Sequence, residues 1–550
     1  PRMRRATAAT LLSLFATLAL PRAAFAQGED AVPVRPGTLR VVLAPDWARW
    51  NRRFGAGTPG FAKGALEPLG VDFASESLGV DRLQFLQPVQ SRIRTLTGLS
   101  GFGLNLGRAR LTLNANVRVV PLGFELGVTR RLSLSLFVPL VRSRVEAFLL
   151  GPVPDTGAAG AATRGNVGFN PAFLTPGALD AFREQVDAAL IALQTQATSG
   201  PAALRAQALA TLNAVQPLFC GLYTLAGGSA GSSTSLCFAA TPDAMSPVLP
   251  LAGTAAGDTL AAMLARDQAS YEALRTLYAG AGVALPALNE TFALPDSALD
   301  SLGLRRLFSD PAGPLAGDSL TNILRTRLGD IEAGATYQLA DRPRFRSQVA
   351  VTVRLPTGSR DSENNLIDVG TGDRQLDVEV ATRNDLIVAS TFWVHAGARY
   401  GRQFADELVR RVTPANLPFA PFSSLALVRR DLGDYVAIDI VPNWRLDDAF
   451  SVGVGYHYFS QGATRFSYVD PADETRIGLP ATVLGQETAV RRMRMAAGIT
   501  FSTLGRYSEH RASLPYTVTA SYQNTFWGKG GAVPQASVFR LVIRGYMRMW

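Results

Sequence analysis

The feature that most constrains this chain is a period-two alternation of apolar and polar residues between positions 328 and 382. Three successive runs place apolar side chains on one parity and charged or amide side chains on the other. A short turn at 340–343 joins the first two runs, and a long polar loop joins the last two. Such alternation predicts β-strands with one apolar and one polar face. Short turns that alternate with long loops are typical of a membrane β-barrel, and the alternative is a soluble β-sandwich.

The same alternation recurs on both sides of this stretch and predicts about twelve strands, within a range of about 10 to 14. The runs lie at 38–54, 108–128, 132–140, 330–339, 348–355, 376–382, 387–402, 436–445, 452–458, 493–501, 516–525 and 535–550. In the second run the apolar parity shifts at Pro121, which predicts a β-bulge there. An even strand count, with both chain ends on the periplasmic side, is typical of single-chain bacterial barrels. We therefore predict an all-β transmembrane antiparallel β-barrel.

The first 26 residues have the pattern of a secretory signal peptide. Arginines at the start precede an apolar stretch at 9–20, and the small residues Ala24 and Ala26 mark a cleavage site. Beyond this segment, no run of about 18 apolar residues could form a transmembrane helix. An exported chain that is rich in amphipathic strands is expected in the bacterial outer membrane, surrounded by outer-membrane lipid.

The charge of the chain argues against a nucleic-acid partner. The formal net charge is +10 over 550 residues. A nucleic-acid interface requires basic residues that cluster in a patch or stripe. The arginines here are spread over many of the predicted strands, so we predict no nucleic-acid binding.

Residues 150–326 interrupt the strand pattern with an Ala-, Leu- and Pro-rich composition. Helical spacing of apolar residues predicts helices at 176–194, 201–215 and 257–278. We interpret the segment as a large, mainly α-helical extracellular insertion, which either caps the barrel mouth or enters the lumen. The predicted organisation is a signal peptide at 1–26, N-terminal strands and the first loop at 27–149, the insertion at 150–326 and the remaining strands at 327–550.

Two cysteines, Cys220 and Cys237, flank a Gly- and Ser-rich segment of the insertion. Because an exported protein reaches an oxidising compartment, we predict a disulfide between them. On the chain-entropy model, a disulfide that closes a loop of this size stabilises the folded state by roughly 3 kcal/mol. The alternative is a pair of unpaired buried thiols. Metal binding is not expected, since neither cysteine has a nearby histidine or second cysteine at ligand spacing.

If the apolar strand faces meet lipid, the opposite parity lines the lumen. The candidate lumen residues are the acids Asp330, Glu332, Asp377, Glu379 and Asp439, the histidines His395 and His457, and the arginines Arg118, Arg354, Arg399, Arg445, Arg492, Arg494, Arg540, Arg544 and Arg548. An inward position is favourable, because Arg or Lys on the lipid face costs about 2–4 kcal/mol at mid-depth. These residues form either ion-pair networks that hold the lumen together or a charged constriction that sets permeation selectivity, and both can hold.

Enzymatic and metal-dependent functions are weakly supported. Twelve-stranded outer-membrane phospholipases use a Ser–His pair two residues apart on one strand. Here His457 and Ser460 are three apart, so a regular strand places them on opposite faces, out of hydrogen-bonding reach. The acidic loop at 361–373 lacks the ligand spacing of an EF-hand and is expected to be a solvated loop. We predict no enzyme, no cofactor and no metal.

Several short motifs resemble a known family. They are Leu-Gly-Asp at 328–330, Leu-Pro-Thr-Gly at 355–358, Gly-Thr-Gly-Asp at 370–373 and the turn at 124–132. Together they resemble the outer-membrane channels of the MetA-pathway of phenol degradation family, over residues 108–148 and 328–460. The resemblance implies passive uptake of aromatic or other hydrophobic small molecules. It carries over no substrate-binding residues, and the large insertion departs from the family pattern.

The sequence therefore predicts an outer-membrane channel for passive uptake of small hydrophobic or aromatic solutes. The alternative is a non-transporting surface barrel whose helical insertion binds a partner or another envelope component. The expected partners are outer-membrane lipid and a small-molecule solute.

Overall fold

The computed structural model describes most of the chain outside the N-terminal segment. The described residues are 34–55, 57, 61–150, 165–169, 178–225, 248–288, 294–309, 322–365, 367–414, 419–508, 514–531 and 533–550. The predicted signal peptide at 1–26 lies outside these residues, so its assignment stays a prediction.

The described residues form a closed β-barrel of twelve strands, which confirms the predicted fold class. Strand β1 has the segments Thr38–Leu43 and Asp46–Trp50, and β4 has the segments Ile323–Leu328 and Glu332–Arg342. The others are β2 (Arg110–Gly127), β3 (Leu132–Leu150), β5 (Phe345–Arg354), β6 (Asp377–Ala389), β7 (Phe392–Gln403), β8 (Tyr435–Arg445), β9 (Phe450–Gln461), β10 (Val490–Ser502), β11 (Tyr516–Lys529) and β12 (Ser537–Arg548). Each strand pairs with the next along the chain. Strand β1 also pairs with β12, so the sheet has no free edge.

Short and long connections alternate around the barrel, as the opening stretch of sequence indicates. At the end that holds Thr38 and Arg548, four connections have two to four residues: 128–131, 343–344, 390–391 and 446–449. The longer connections 355–376, 404–434 and 462–489 lie at the other end. This asymmetry matches the short periplasmic turns and long outer loops of outer-membrane barrels.

The outward face of the barrel is apolar along the middle of the strands. Its exposed side chains include Leu134, Leu136, Val351, Val380, Ile438, Ile440, Met495 and Ile499. Aromatic contacts lie on this face near both ends. At the short-turn end, Phe392 lies 5.2 Å from Trp444 between ring centroids, and Phe450 lies 5.0 Å from Phe501. Near the opposite end, Trp47 lies 5.5 Å from Phe539. An apolar band between two aromatic girdles is the outer surface of a membrane barrel.

The predicted bulge at Pro121 is wrong. Leu43 pairs with Leu122 and Asp46 pairs with Val119, so the register between β1 and β2 is the same on both sides of Pro121. The apolar side chains instead change face. Along β2, Leu122 and Phe124 are outward and exposed, whereas Leu111, Leu113, Ala115 and Val117 lie on the buried inward face.

This change of face also corrects the position of Arg118. That side chain is exposed and opposite the outward residue Trp47, so it does not line the lumen. The alternation alone could not reveal this, because it shows which residues share a face but not which face points inward.

A second compact unit comprises the described residues of Phe73–Arg110 and Leu149–Ser319. Its helices are α1 (Gln87–Thr97), α2 (Ala178–Ser199), α3 (Arg205–Leu225), α4 (Ala255–Gly280) and α5 (Ser301–Ser309). Three of them, α2 to α4, lie where the sequence predicts helices. The Thr254 hydroxyl accepts a hydrogen bond from the Gly257 amide (3.2 Å) and caps the start of α4. The inclusion of Phe73–Arg110 in this unit was not predicted, since its irregular composition gives no sign of what it packs against.

Among the described residues, no helix is both long enough and apolar enough to cross a membrane.

Several long connections of the barrel unit are themselves folded. Asp406–Arg411, Leu425–Asp431 and Arg465–Tyr468 form a three-stranded sheet, next in the chain to helix α6 (Ala472–Ile477). In the first connection, the fully buried Arg53 donates to Glu67 (2.6 Å) and to Asp72 (2.7 Å). The two carboxylates offset much of the electrostatic cost of burying this guanidinium.

Candidate functional site

The polar parity of the strands points into the barrel. Directly opposed residues of paired strands share a face, and Asp439 is opposite His457, which is opposite Arg494. These three side chains are 2–6% exposed. Their outward neighbours Ile438, Ile440 and Met495 are 40–45% exposed. Along β8 to β10 the lumen wall is therefore polar and the outer wall apolar, as expected for a barrel in a membrane.

Most of the candidate residues named from sequence lie on this inward face. They are Glu332, Arg354, Asp377, Glu379, His395, Arg399, Asp439, His457, Arg492, Arg494, Arg540 and Arg544. Arg445 and Arg548 have the inward parity but are exposed at strand ends. There Arg445 lies 6.0 Å from the Trp393 ring centroid, and the Arg548 Nε is 3.4 Å from the Trp550 carbonyl oxygen.

Asp330 has a different role from its strand neighbours. It lies between the two segments of β4, where its carboxylate accepts hydrogen bonds from the amides of Gly358 (2.7 Å) and Asp373 (3.0 Å). It thus holds the two ends of the connection between β5 and β6. This connection contains the Leu-Pro-Thr-Gly and Gly-Thr-Gly-Asp motifs, so the Asp330 carboxylate joins the two motifs by hydrogen bonds.

The acidic candidates on β4 to β6 have cationic or hydroxyl partners. The Arg354 guanidinium donates to Glu332 (3.2 Å) and to Asp377 (2.7 Å) on the two flanking strands. The Tyr435 hydroxyl donates to Glu379 (2.6 Å). These acidic candidates therefore belong to an ion-paired network, because Arg354 lies between Glu332 and Asp377.

Each of the two lumen histidines contacts one aspartate through Nδ1. His395 lies 2.8 Å from the Asp385 Oδ1, and His457 lies 2.6 Å from the Asp439 Oδ1. Asp385 was missed from sequence, although it has the same parity as Asp377. The predicted strand ended at 382, whereas β6 continues to Ala389. Reading the alternation a few residues further would have found Asp385.

The arginines on the other side of the barrel fall into two groups. Arg540 forms a bidentate ion pair with Asp46 on β1 (2.5 and 2.7 Å), and Arg40 pairs with Glu125. In the described part of the chain, no carboxylate pairs with Arg492 or Arg494. The Arg492 guanidinium lies 4.4 Å from the Phe459 ring centroid, and the Arg494 Nε donates to the Thr525 hydroxyl (3.3 Å).

Two cavities lie in the lumen, and they are lined by the residues described above. The first is about 70 Å³ and is lined by Glu332, Arg354, Asp377, Glu379, Arg399 and Tyr435, among others. The second is about 20 Å³ and is lined by Asp439, His457, Phe459, Arg492 and Arg494, together with Arg399. A buried water needs about 10–15 Å³ of such volume. The lumen therefore holds groups of one to a few heavy atoms at these places.

The catalytic and metal-binding alternatives gain no geometric support. Ser460 is opposite Val436 on the outward face, whereas His457 is opposite Asp439 in the lumen. A serine nucleophile and its base must be within hydrogen-bonding reach, and these two lie on different faces. Within the described ranges, no group of three or more His, Cys, Asp or Glu side chains could hold a metal ion.

The acidic loop at 361–373 is folded, so its prediction as a solvated loop is wrong. Arg410 binds both carboxylate oxygens of Asp361 (2.6 and 2.7 Å), and Arg325 binds Asp368 (2.5 Å). The flanking residues Ile367 and Val369 are buried. Burial, followed by the nearby carboxylates of Asp330 and Asp377, raises the pKa of Asp373 to about 7, against the opposing effect of Arg430. The loop is held by ion pairs to arginines that are far away in the sequence. No local sequence pattern indicates these ion pairs.

Cys220 lies in α3, and Cys237 lies outside the described residues. The disulfide between them stays a prediction.

No protein-family model matches the chain. No curated protein matches it either. Among solved structures, it is similar to an outer membrane channel from Pseudomonas putida F1, with 8% identity over 95% of this chain and 99% of that one, at a TM-score of 0.40. It is also similar to the toluene transporter TbuX of Ralstonia pickettii, with 9% identity, 94% and 90% coverage and a TM-score of 0.27. A third is a FadL homologue of Pseudomonas aeruginosa, with 8% identity, 93% and 90% coverage and a TM-score of 0.26.

Proposed function

We propose that this protein is an outer-membrane channel through which small solutes pass passively. The observation that carries the proposal is the two-faced wall of the closed barrel. Its outward parity is apolar and flanked by aromatic contacts, and its inward parity is charged. A soluble barrel would bury apolar side chains inside and expose polar ones outside, because water favours that arrangement. The reverse arrangement suits a barrel that is surrounded by lipid and contains water.

The solutes that we propose are small hydrophobic or aromatic molecules. The motif resemblance in the sequence supports this class. The lumen also places aromatic rings next to its charges, since Tyr435 and Phe459 lie 5.6 Å apart between ring centroids on the inward face. Such rings bind apolar and aromatic groups by contact and stacking.

The channel is tested with the purified full-length protein in planar bilayers and in liposomes. Reproducible single-channel conductance, together with swelling of liposomes in small solutes, is the expected result. The matched control is heat-unfolded protein at the same concentration. A barrel that is sealed to ions and to all solutes tested would overturn the proposal.

The helical unit favours a second candidate, a non-transporting surface barrel that binds a partner. This unit is compact and has its own core, in which Phe182 stacks on Phe219 at 6.1 Å between centroids. Deleting residues 151–319, which spares strand β4, separates the two functions. A channel keeps or gains conductance after the deletion, whereas a surface binder loses its partner and has no conductance to change.

A further inference from the structure

Two buried arginines of the lumen differ from their counterparts in having no carboxylate partner among the described residues. Arg354 contacts Glu332 and Asp377, and Arg540 contacts Asp46. Arg492 and Arg494 are only 5% and 6% exposed, yet none of the carboxylates that the structure describes pairs with them. Burying a charge without a partner is costly. A solute that supplies the missing negative charge would therefore be bound favourably.

Both arginines retain hydrogen-bonding capacity for such a solute. A guanidinium has five N–H donors. Arg492 uses the face of its guanidinium on the Phe459 ring, and Arg494 donates from Nε to Thr525. The terminal nitrogen donors of both side chains remain for a ligand in the cavity that they line together.

His457 adds a third polar group to the same cavity. Its Nδ1 is held by Asp439, and its Nε2 is buried without a hydrogen-bond partner. Gly455 makes room for this ring, because a Cβ at that position would lie 2.8 Å from the Nε2. The Nε2 of a neutral ring accepts a hydrogen bond, whereas a protonated ring donates one from Nε2 to a carboxylate.

The balance of charge around the cavity is positive. Arg399, Arg492 and Arg494 line it, and Asp439 is the carboxylate among the lining residues. That carboxylate is engaged by the Arg399 Nη2 (3.3 Å) and by His457 (2.6 Å). Asp439 therefore has partners on two sides, and it forms no ion pair with Arg492 or Arg494.

We propose that Arg492, Arg494 and His457 form a binding site for the carboxylate of a small organic anion that passes through the lumen. This site rests on the proposed channel function and narrows its solute class to hydrophobic or aromatic acids. A cavity of about 20 Å³ accommodates a carboxylate but not a ring. The apolar part of the solute extends toward the larger cavity, which Arg399 also lines and to which Tyr435 contributes its ring.

Equilibrium binding to the full-length protein in detergent tests the site. Benzoate is the anionic probe and benzyl alcohol the neutral one, measured by isothermal titration calorimetry. We expect benzoate to bind at least tenfold more tightly than benzyl alcohol. Arg492→Gln and Arg494→Gln should each weaken benzoate about 10- to 100-fold, since each removes a charge-assisted hydrogen bond. Arg118→Gln is the matched control, because Arg118 is exposed on the outer face, and it should leave the affinity unchanged.

Three results would overturn the site: equal binding of the two probes, unchanged benzoate affinity in both glutamine variants, or competition by chloride at the affinity of benzoate. Circular dichroism reports whether each variant is folded. If a glutamine variant fails to fold, Arg494→Lys takes its place, and it should bind benzoate more weakly because lysine loses the planar fork of donors.

Binding is measured without conduction. A barrel that binds benzoate but does not conduct therefore contradicts the channel and leaves the site intact.

Discussion

The two sides of the lumen use arginine differently. On β4 to β6, Arg354 lies between Glu332 and Asp377, so every charge in this group has a partner on a neighbouring strand. On β10, Arg492 and Arg494 contact an aromatic ring and a hydroxyl group instead. Inward-facing arginine thus cross-links two carboxylates on one side of the lumen. On the other side it has no carboxylate partner among the described residues. From this difference we infer that the β10 side responds to the charge of a solute.

The largest effect is expected from Arg354→Met, which removes the cation that Glu332 and Asp377 both contact. We expect the free energy of unfolding to fall by about 3–5 kcal/mol, the usual cost of leaving buried charges unpaired. Urea unfolding in detergent, followed by tryptophan fluorescence, measures the change. The exposed Arg118→Met is the control. A loss no larger than that of the control would mean that the β4 to β6 network is not structural.

A pH dependence is expected from Asp373, next to the same network. Its pKa is raised to about 7, so the folded state binds a proton more tightly than the unfolded state does. The stability from this proton is fully present below the unfolded pKa and is lost as the pH rises through about 7. From pH 5 to 8, the wild type should lose on the order of 2 kcal/mol more than Asp373→Asn. Urea midpoints at the two pH values test this, with the exposed Asp341→Asn as control. Parallel curves for wild type and Asp373→Asn would contradict it.

Arg494→Gln is expected to change ion selectivity on the β10 side. Removing a unit charge at about 4 Å from a permeating ion changes its energy by on the order of 1 kcal/mol or more. The anion-to-cation permeability ratio should therefore fall severalfold. Reversal potentials in a salt gradient measure this ratio, and Arg118→Gln again serves as the control. If the ratio is unchanged, the β10 arginines do not contact the permeation path.

The smallest effect is expected from Arg492→Met. No carboxylate of the described structure is left unpaired by this change, so the free energy of unfolding should stay within about 1 kcal/mol of the wild type or rise. Urea unfolding under the conditions used for Arg354→Met gives a direct comparison of the two sides. A loss as large as that of Arg354→Met would show that the two arginines have equivalent structural roles.

Much of the lumen could be predicted from alternation, and the failures have specific causes. Strand parity correctly places Glu332, Asp377 and His457 on one face. Asp385 was missed because the predicted strand was too short. Arg118 was placed on the wrong face, because from Leu111 to Val117 the apolar residues of β2 point inward and the polar ones outward. The available arginines could not be distinguished from the paired ones, since all of them share the same parity.

The sequence by itself determined the strands, their number and which residues share a face, because alternation is a local property of an extended chain. Only the tertiary structure decided which charges meet. Arg540 finds its carboxylate at Asp46, 494 positions away, when β12 closes against β1. Among the described carboxylates, none pairs with Arg492 or Arg494, because the registers of β9, β10 and β11 place Phe459 and Thr525 opposite them. Register is set by the closure of the whole barrel, so the pairing of a lumen charge cannot be read from its own strand.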